Sequence, residues 1–264
     1  MEGIIMKKTL AIILVLAFGL FACASAESYT FKMGIDPEYP PYTYLGDDGE
    51  YTGYDVEMAQ AVCAILGWDL DIVPINWDTK LLSLDSGEID CIWSGLTIDV
   101  ISPDEYTLSI PYSDNSQMIL TKASYGIATL DDLAGKVVGV QLGTSADIAL
   151  SEGGGAEALG ATFGELRRFE NYNVCFTELM ADAIDAVAID IGVAAAKIAE
   201  YGDEYVMLDE SFAAEKYGIC FRKDDTEICR QVEEALMQLV ADGTYVSLAE
   251  KYGLDVEALC LKAE

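Results

Sequence analysis

Residues 30–67, TFKMGIDPEYPPYTYLGDDGEYTGYDVEMAQAVCAILG, decide how the rest of the chain is read. The stretch opens with Phe31, Met33 and Ile35 on alternate positions, the two-residue period of a half-buried strand. It closes over residues 55–66, where Val56, Ala59, Val62, Cys63 and Leu66 recur at helical spacing and Gly67 supplies the stop. Working outward, the strand-then-helix unit repeats. Residues 71–75 and 89–93 read as strands around a short helix, 79–85, that ends at Gly87. Residues 137–141, 186–189 and 205–208 read as later strands with helical stretches between them. Residues 228–240 form a closing amphipathic helix with Val232, Leu236, Leu239 and Val240 on its apolar side. This alternation predicts α/β architecture with largely parallel sheets. There is no internal repeat or low-complexity tract, and the three glycines within 151–155 mark a loop.

Upstream of the first strand, Lys7 and Lys8 precede an apolar run over residues 10–22. Ala24-Ser25-Ala26 then places small residues where a signal peptidase reads. That order is the pattern of a secretory leader, here residues 1–26. The apolar run is shorter than the roughly 20 residues a membrane-spanning helix needs. Met6-Lys7-Lys8 makes a better-formed start than Met1. Leu20-Phe21-Ala22-Cys23 resembles a lipoprotein processing site, so a lipid anchor through Cys23 stands beside cleavage after Ala26. Either route exports the chain to the periplasm or to the outer face of the cytoplasmic membrane.

Composition then excludes whole classes of function. With 46 acidic against 15 basic residues the formal charge is −31, which repels nucleic acid and anionic lipid. The chain has no histidine, so the commonest general base and the commonest zinc ligand are missing. No Cys-x-x-Cys pair, Gly-x-Ser-x-Gly elbow or phosphate-binding loop occurs. No catalytic constellation, metal site or cofactor is expected. Export permits disulfides among Cys63, Cys91, Cys175, Cys220, Cys229 and Cys260. Cys63 with Cys91 is the pairing expected first, with buried free thiols as the alternative. Polar and aromatic residues collect at the carboxyl ends of the expected strands, where open α/β sheets bind ligands.

Eight segments run in order through the chain: Gly34-Ile35-Asp36-Pro37-Glu38-Tyr39-Pro40-Pro41-Tyr42, Gly53-Tyr54-Asp55-Val56-Glu57, Asn76-Trp77-Asp78, Ser86-Gly87-Glu88-Ile89-Asp90, Gly95-Leu96-Thr97-Ile98, Ser109-Ile110-Pro111-Tyr112, Val138-Gly139-Val140-Gln141-Leu142-Gly143-Thr144-Ser145 and Asp185-Ala186-Val187-Ala188-Ile189-Asp190. In register they resemble the solute-binding proteins of polar-amino-acid ABC importers, bacterial solute-binding family 3. The resemblance implies a two-lobed periplasmic-binding-protein-like fold of type II, its ligand held between α/β lobes joined by two crossover strands. It places lobe 1 at 29–116 plus 213–264 and lobe 2 at 117–212, with crossovers near 116–120 and 211–218. The implied partners are a small polar amino acid or related amine and the membrane permease of an importer, with the receptor acting as a monomer.

The same resemblance assigns a ligand-binding set. Tyr39 and Trp77 fall where aromatic rings stack on a ligand side chain or ammonium, although Trp77 also suits an ordinary core. Asp36 aligns with a carboxylate that meets a polar or basic side chain, or else closes a turn. Asp190 matches the carboxylate that pairs with an α-ammonium; its plain alternative is a helix N-cap. Ser94, Gly95 and Thr97 match a segment that holds both α-groups, or form a simple strand-to-loop turn. Thr144 and Ser145 open an expected helix whose free N–H groups would attract a carboxylate, or merely cap it.

One position departs from the pattern. Where the family carries an arginine that pairs with the ligand carboxylate, this chain has Ser102, within Asp99-Val100-Ile101-Ser102-Pro103-Asp104-Glu105. A weaker amino-acid binder, a binder of carboxylate-free cationic amines and an impaired site all fit that change. Two other functions fit the fold: a dehydratase of small carboxylates, which would need a placed acid and a carboxylate anchor, and a sensory module.

Overall fold

The computed structural model describes residues 28–263. The leader, its cleavage site and Cys23 lie outside the described residues. In chain order, β1 (Thr30–Ile35) precedes a small antiparallel sheet of β2 (Glu38–Tyr39), β3 (Thr43–Leu45) and β4 (Tyr51–Thr52). Then come α1 (Tyr54–Leu66), β5 (Asp69–Pro74), α2 (Lys80–Asp85), β6 (Cys91–Thr97) and β7 (Tyr106–Leu108). The long β8 (Ser113–Lys122) leads to β9 (Val137–Gln141), α3 (Ser145–Leu150), α4 (Glu157–Gly160) and β10 (Glu165–Phe169). It is followed by α5 (Tyr172–Met180), β11 (Ala186–Asp190), α6 (Ile191–Tyr201) and β12 (Tyr205–Met207). A second long strand, β13 (Ala213–Arg222), leads to α7 (Thr226–Asp242) and α8 (Thr244–Lys251).

Ten of these strands form one sheet among the described residues, in the order β10-β9-β11-β8-β13-β6-β1-β5, with β12 beside β8 and β7 beside β13. Its two wings are parallel: β5-β1-β6 on one side, β10-β9-β11 on the other. The centre is not. β8 and β13 run antiparallel to each other and to β11 and β6, which corrects the expectation of largely parallel sheets. The cause is topological: one of these strands leaves the first wing and the other returns to it, so they pass in opposite directions. The molecule therefore has two lobes, one around each parallel wing.

Both faces of each wing are covered, as parallel sheets require. Phe31, Met33 and Ile35 share a core with Val56, Ala59 and Val62 of α1 and with Val232 and Leu236 of α7. The opposite face of that wing buries Leu84, Ile89, Ile92 and Leu96. In the other lobe β11 alternates: Ala186 and Ala188 pack with Val138, Val140 and Leu150, whereas Val187 and Ile189 pack with Phe176 and Val193. The expected strand over 89–93 begins later and runs on to Thr97, because the buried Ser94–Leu96 segment still has partners in β13. Cys63 and Cys91, the expected disulfide pair, are buried free thiols. Burial pushes the Cys63 thiol up to about 12, which withholds the thiolate that disulfide exchange needs.

Asp55 ties the lobe-1 core to the floor of the cleft. It lies in the first turn of α1, fully buried, and its Oδ2 accepts from the Gly95 N–H at 2.6 Å and the Tyr112 hydroxyl at 2.9 Å. Burial raises its carboxyl to about 7, against the lowering effect of those two donors. Asp55→Ala leaves both buried donors without an acceptor, at about 1–3 kcal/mol each. It is expected to lower unfolding free energy in urea by about 2–4 kcal/mol; a change under about 0.5 kcal/mol would show that the two donors find other acceptors.

Candidate functional site

The carboxyl ends of β1, β6, β9 and β11 converge between the lobes on a cavity of about 110 Å³. That is small beside the roughly 300–1,000 Å³ of sites for drug-sized ligands. Of the residues singled out from the sequence, Asp36, Tyr39, Trp77, Gly95, Thr97, Thr144, Ser145 and Asp190 line it. Ser94 does not. Its hydroxyl lies beneath the wall, accepting from the Asp36 N–H at 3.1 Å and meeting the Thr43 hydroxyl at 2.5 Å. It holds Asp36 in place rather than facing the cavity.

Each lining residue has a definite local cause. Asp36 follows β1 and does two things: Oδ1 accepts from the Glu38 N–H at 2.9 Å, closing a turn, and Oδ2 accepts from Gln141 Nε2 at 2.6 Å. Burial raises its carboxyl, and the Gln141 bond opposes the shift. Gly95 must be glycine. Its φ is +55°, and a Cβ would sit 2.5 Å from the Tyr39 ring. Tyr39 stacks on Tyr42, ring centroids 5.5 Å apart, and its hydroxyl meets that of Tyr217 at 2.8 Å. Trp77 opens the 3-10 turn before α2 and is only half-buried. Lys80 Nζ stands 4.8 Å from the Trp77 ring centroid.

Asp190 occupies the N-cap position of α6, yet its side chain makes no capping bond. Its Oδ1 instead accepts from Asn115 Nδ2 at 2.7 Å, Gln117 Nε2 at 2.5 Å and the Tyr217 hydroxyl at 2.6 Å. Thr144, by contrast, does cap: its hydroxyl accepts from the Asp147 N–H at 3.3 Å and donates to Gln141 O at 2.8 Å. The helix it opens has six residues, and the Asp147 carboxylate already lies in its first turn. That start is a poor seat for a second anion.

Sequence reasoning missed the residues behind the wall. Asn115 and Gln117 on β8 face Glu215 and Tyr217 on β13, with Glu215 directly opposite Asn115 in the ladder. Glu215 Oε1 accepts from Asn115 Nδ2 at 2.6 Å, Gln117 Nε2 at 2.8 Å, Thr97 Oγ1 at 2.8 Å and Ser145 Oγ at 3.2 Å. Burial, and then the Asp190 charge, raises the Glu215 carboxyl to about 7. The signal was available in the sequence: polar residues on alternate positions of both expected crossovers mark one shared polar face. Lys80 and Gln141 were missed as well. Lys80 is the basic side chain lining the cavity among the described residues, and burial pulls it down to about 8. The arginines lie elsewhere, Arg167 on Glu165, Arg168 on Asp147, Arg222 on Asp90 and Arg230 on Glu227. Around the position of Ser102 the wall is apolar, formed by Val100 and Ile101.

Several contacts cross the cleft: Gln141 to Asp36, Thr97 to Ser145, and Lys80 Nζ to Gly143 O at 2.7 Å. Gly143, with φ +74°, comes so near Asp78 that a Cβ would lie 3.0 Å from its Cα. The lobes are thus closed on each other.

A sequence profile for bacterial extracellular solute-binding proteins, family 3, matches residues 31–255. The L-cystine-binding protein TcyJ of Escherichia coli K12 is 33% identical over 233 residues, covering 87% of this chain and 85% of TcyJ. A substrate-binding protein of an ABC uptake transporter from Streptococcus pneumoniae, solved with bound histidine, superposes with TM-score 0.79. It is 29% identical, over 86% of this chain and 94% of that one. The ancestral amino acid-binding protein AncCDT-1, a precursor of cyclohexadienyl dehydratase, gives TM-score 0.76 at 32% identity, over 84% of this chain and 95% of that one.

Gly143→Val combines a disfavoured φ, worth about 1–3 kcal/mol, with a collision against the facing lobe. It is expected to hold the lobes apart, read as a larger radius of gyration in solution scattering while the far-UV spectrum stays native. An unchanged radius would mean that the loop yields without opening the cleft.

Proposed function

The chain belongs to the bacterial extracellular solute-binding proteins of family 3, and from that premise we propose that it captures a small polar amino acid between its lobes and presents the closed form to the membrane permease of an ABC importer. The observation that carries this reading is Asp190. A carboxylate at a helix N-cap position forgoes its capping bond and turns into the cavity, where an α-ammonium would find a desolvated counter-charge. Tyr39 and Trp77 supply aromatic walls, and Asp36 a second carboxylate for a polar or basic side chain. Gly95, Thr97, Thr144 and Ser145 complete the ligand-binding set, with Ser94 beneath Asp36. We place lobe 1 at 29–116 plus 213–264 and lobe 2 at 117–212. The antiparallel pairing of β8 with β13 at those boundaries supports this division, and the two strands would bend together as the hinge of closure.

The receptor acts as a monomer, in the periplasm after removal of residues 1–26 or at the outer face of the cytoplasmic membrane when anchored through Cys23. It is a binding protein and not an enzyme. Its relatives named above are binding proteins, and the histidine-free sequence favours that side. Conversion of a prephenate-like substrate would overturn this part of the reading.

The test is isothermal titration calorimetry on the exported chain, unfolded and refolded to strip carried ligand, against the standard amino acids, L-cystine, choline and small polyamines. Saturable heat with one or a few amino acids is expected. Asp190→Ala is expected to weaken that binding about 30-fold or more, since leaving a buried charge unpaired costs about 2 kcal/mol upward. Heat with amines alone would overturn the amino-acid assignment.

A further inference from the structure

The cavity wall between the lobes contains two hydroxyls, Thr97 from the end of β6 and Ser145 from the start of α3. Both are tied from behind to one oxygen of Glu215, at 2.8 Å and 3.2 Å. The same oxygen takes a hydrogen from the Asn115 amide and another from the Gln117 amide. Those amides give their second hydrogens to Asp190. Glu215 therefore fills a cluster of four convergent donors, which is the arrangement a carboxylate requires. At this wall the protein supplies that carboxylate itself.

Hydrogen counting gives this arrangement a consequence. A hydroxyl has one hydrogen and two lone pairs, and an ionised carboxylate only accepts. With Glu215 ionised, the Thr97 and Ser145 hydrogens point back toward it, and the two hydroxyls, 3.2 Å apart, are left with lone pairs alone to offer a ligand. That wall accepts from an ammonium and repels an anion. With Glu215 protonated, its O–H donates to one of these hydroxyls, whose own hydrogen turns into the cavity. That wall donates to an anion. No guanidinium stands nearby to override the choice: the side chains at 100 and 101 are Val and Ile, and the described arginines are paired elsewhere.

Resting on the amino-acid-receptor reading above, we infer that Glu215 is a specificity-determining residue: its protonation sets whether the wall offers donors or acceptors, so a ligand bearing a carboxylate binds with uptake of one proton, whereas a carboxylate-free cation binds the ionised form. The proton comes from solvent and resides on Glu215 while the ligand is held.

The surroundings place this titration in an accessible range. Burial and the Asp190 charge on β11 raise the carboxyl to about 7. The other titratable groups around Glu215 are Tyr217 on its own strand, Tyr42 in the loop before β3 and Tyr172 on α5. Burial raises each phenol well above its ordinary value, so all three stay neutral. Lys216 is exposed on the alternate side of β13, where its N–H meets Asp99. Asn115 and Gln117 from β8 do not titrate. Lys80, elsewhere on the cavity lining, titrates near 8.

The experiment is calorimetric titration with L-arginine or L-glutamine, whichever binds, and with agmatine as the carboxylate-free probe, from pH 6 to pH 8. Uptake of one proton at a group titrating near 7 predicts about a tenfold loss of amino-acid affinity across that interval. Agmatine affinity is expected to hold or rise. Glu215→Gln keeps the shape and removes the titrating proton, its amide oxygen taking the place that the Asn115 and Gln117 amides demand, so its amino-acid affinity is expected to change by no more than about twofold between pH 6 and pH 8, the share left to Lys80. Independently of any variant, titrations at pH 8 in buffers of different ionisation enthalpy are expected to count about one proton taken up per amino acid bound. Amino-acid binding without a pH slope or proton uptake, or an unchanged slope in Glu215→Gln, would overturn the inference and leave the receptor reading intact. No binding by any amino acid would overturn both.

Discussion

The antiparallel pairing of β8 with β13 is the constraint on which the rest of the structure depends. It joins two parallel wings into one sheet, and it carries the chain between lobes twice. It also brings Asn115 and Gln117 alongside Glu215 and Tyr217, since residues two apart on paired strands share a face. The element that links the lobes is therefore the element that holds the polar network at the base of the cleft. Any motion of the two strands must rearrange that network.

Two carboxylates, Asp190 and Glu215, are buried at that base within reach of the same two amides. Buried like charges cost energy unless donors or a proton offset them. Here the amide hydrogens are divided between them, while burial and then the Asp190 charge hold the Glu215 carboxyl above its ordinary range. The acidity of the interior is thus set by geometry, through two carboxylates brought together on the strands that flank β8, whereas that of the exterior follows from composition.

Close approach limits the site as much as charge does. Gly95 admits the Tyr39 ring, Gly143 admits the backbone of Asp78, and Gly192 lies where a Cβ would touch the Tyr42 hydroxyl at 2.5 Å. Each contact leaves no room for a side chain at the glycine, and those at Gly143 and Gly192 bring segments from the two wings together. Asp55, at the other end of Gly95, anchors the same floor to the lobe-1 core.

The sequence by itself determined the wings. β1, α1, β9 and β11 were legible because their apolar residues repeat at strand or helix period, and the period reports which face is buried. Most of the cavity lining was named by the family resemblance, while position alone said only that a site lies at the strand ends, where α/β sheets leave an opening. Only the tertiary structure decided the antiparallel centre, because pairing between strands separated by about a hundred residues leaves no local period. Only it separated Asp190, which turns into the cleft, from Thr144, which caps its helix: both are ordinary N-cap residues in sequence. It alone showed Ser94 beneath the wall and Glu215 behind it, because a buried carboxylate on a crossover strand acquires its meaning from four donors contributed by three other segments of the chain.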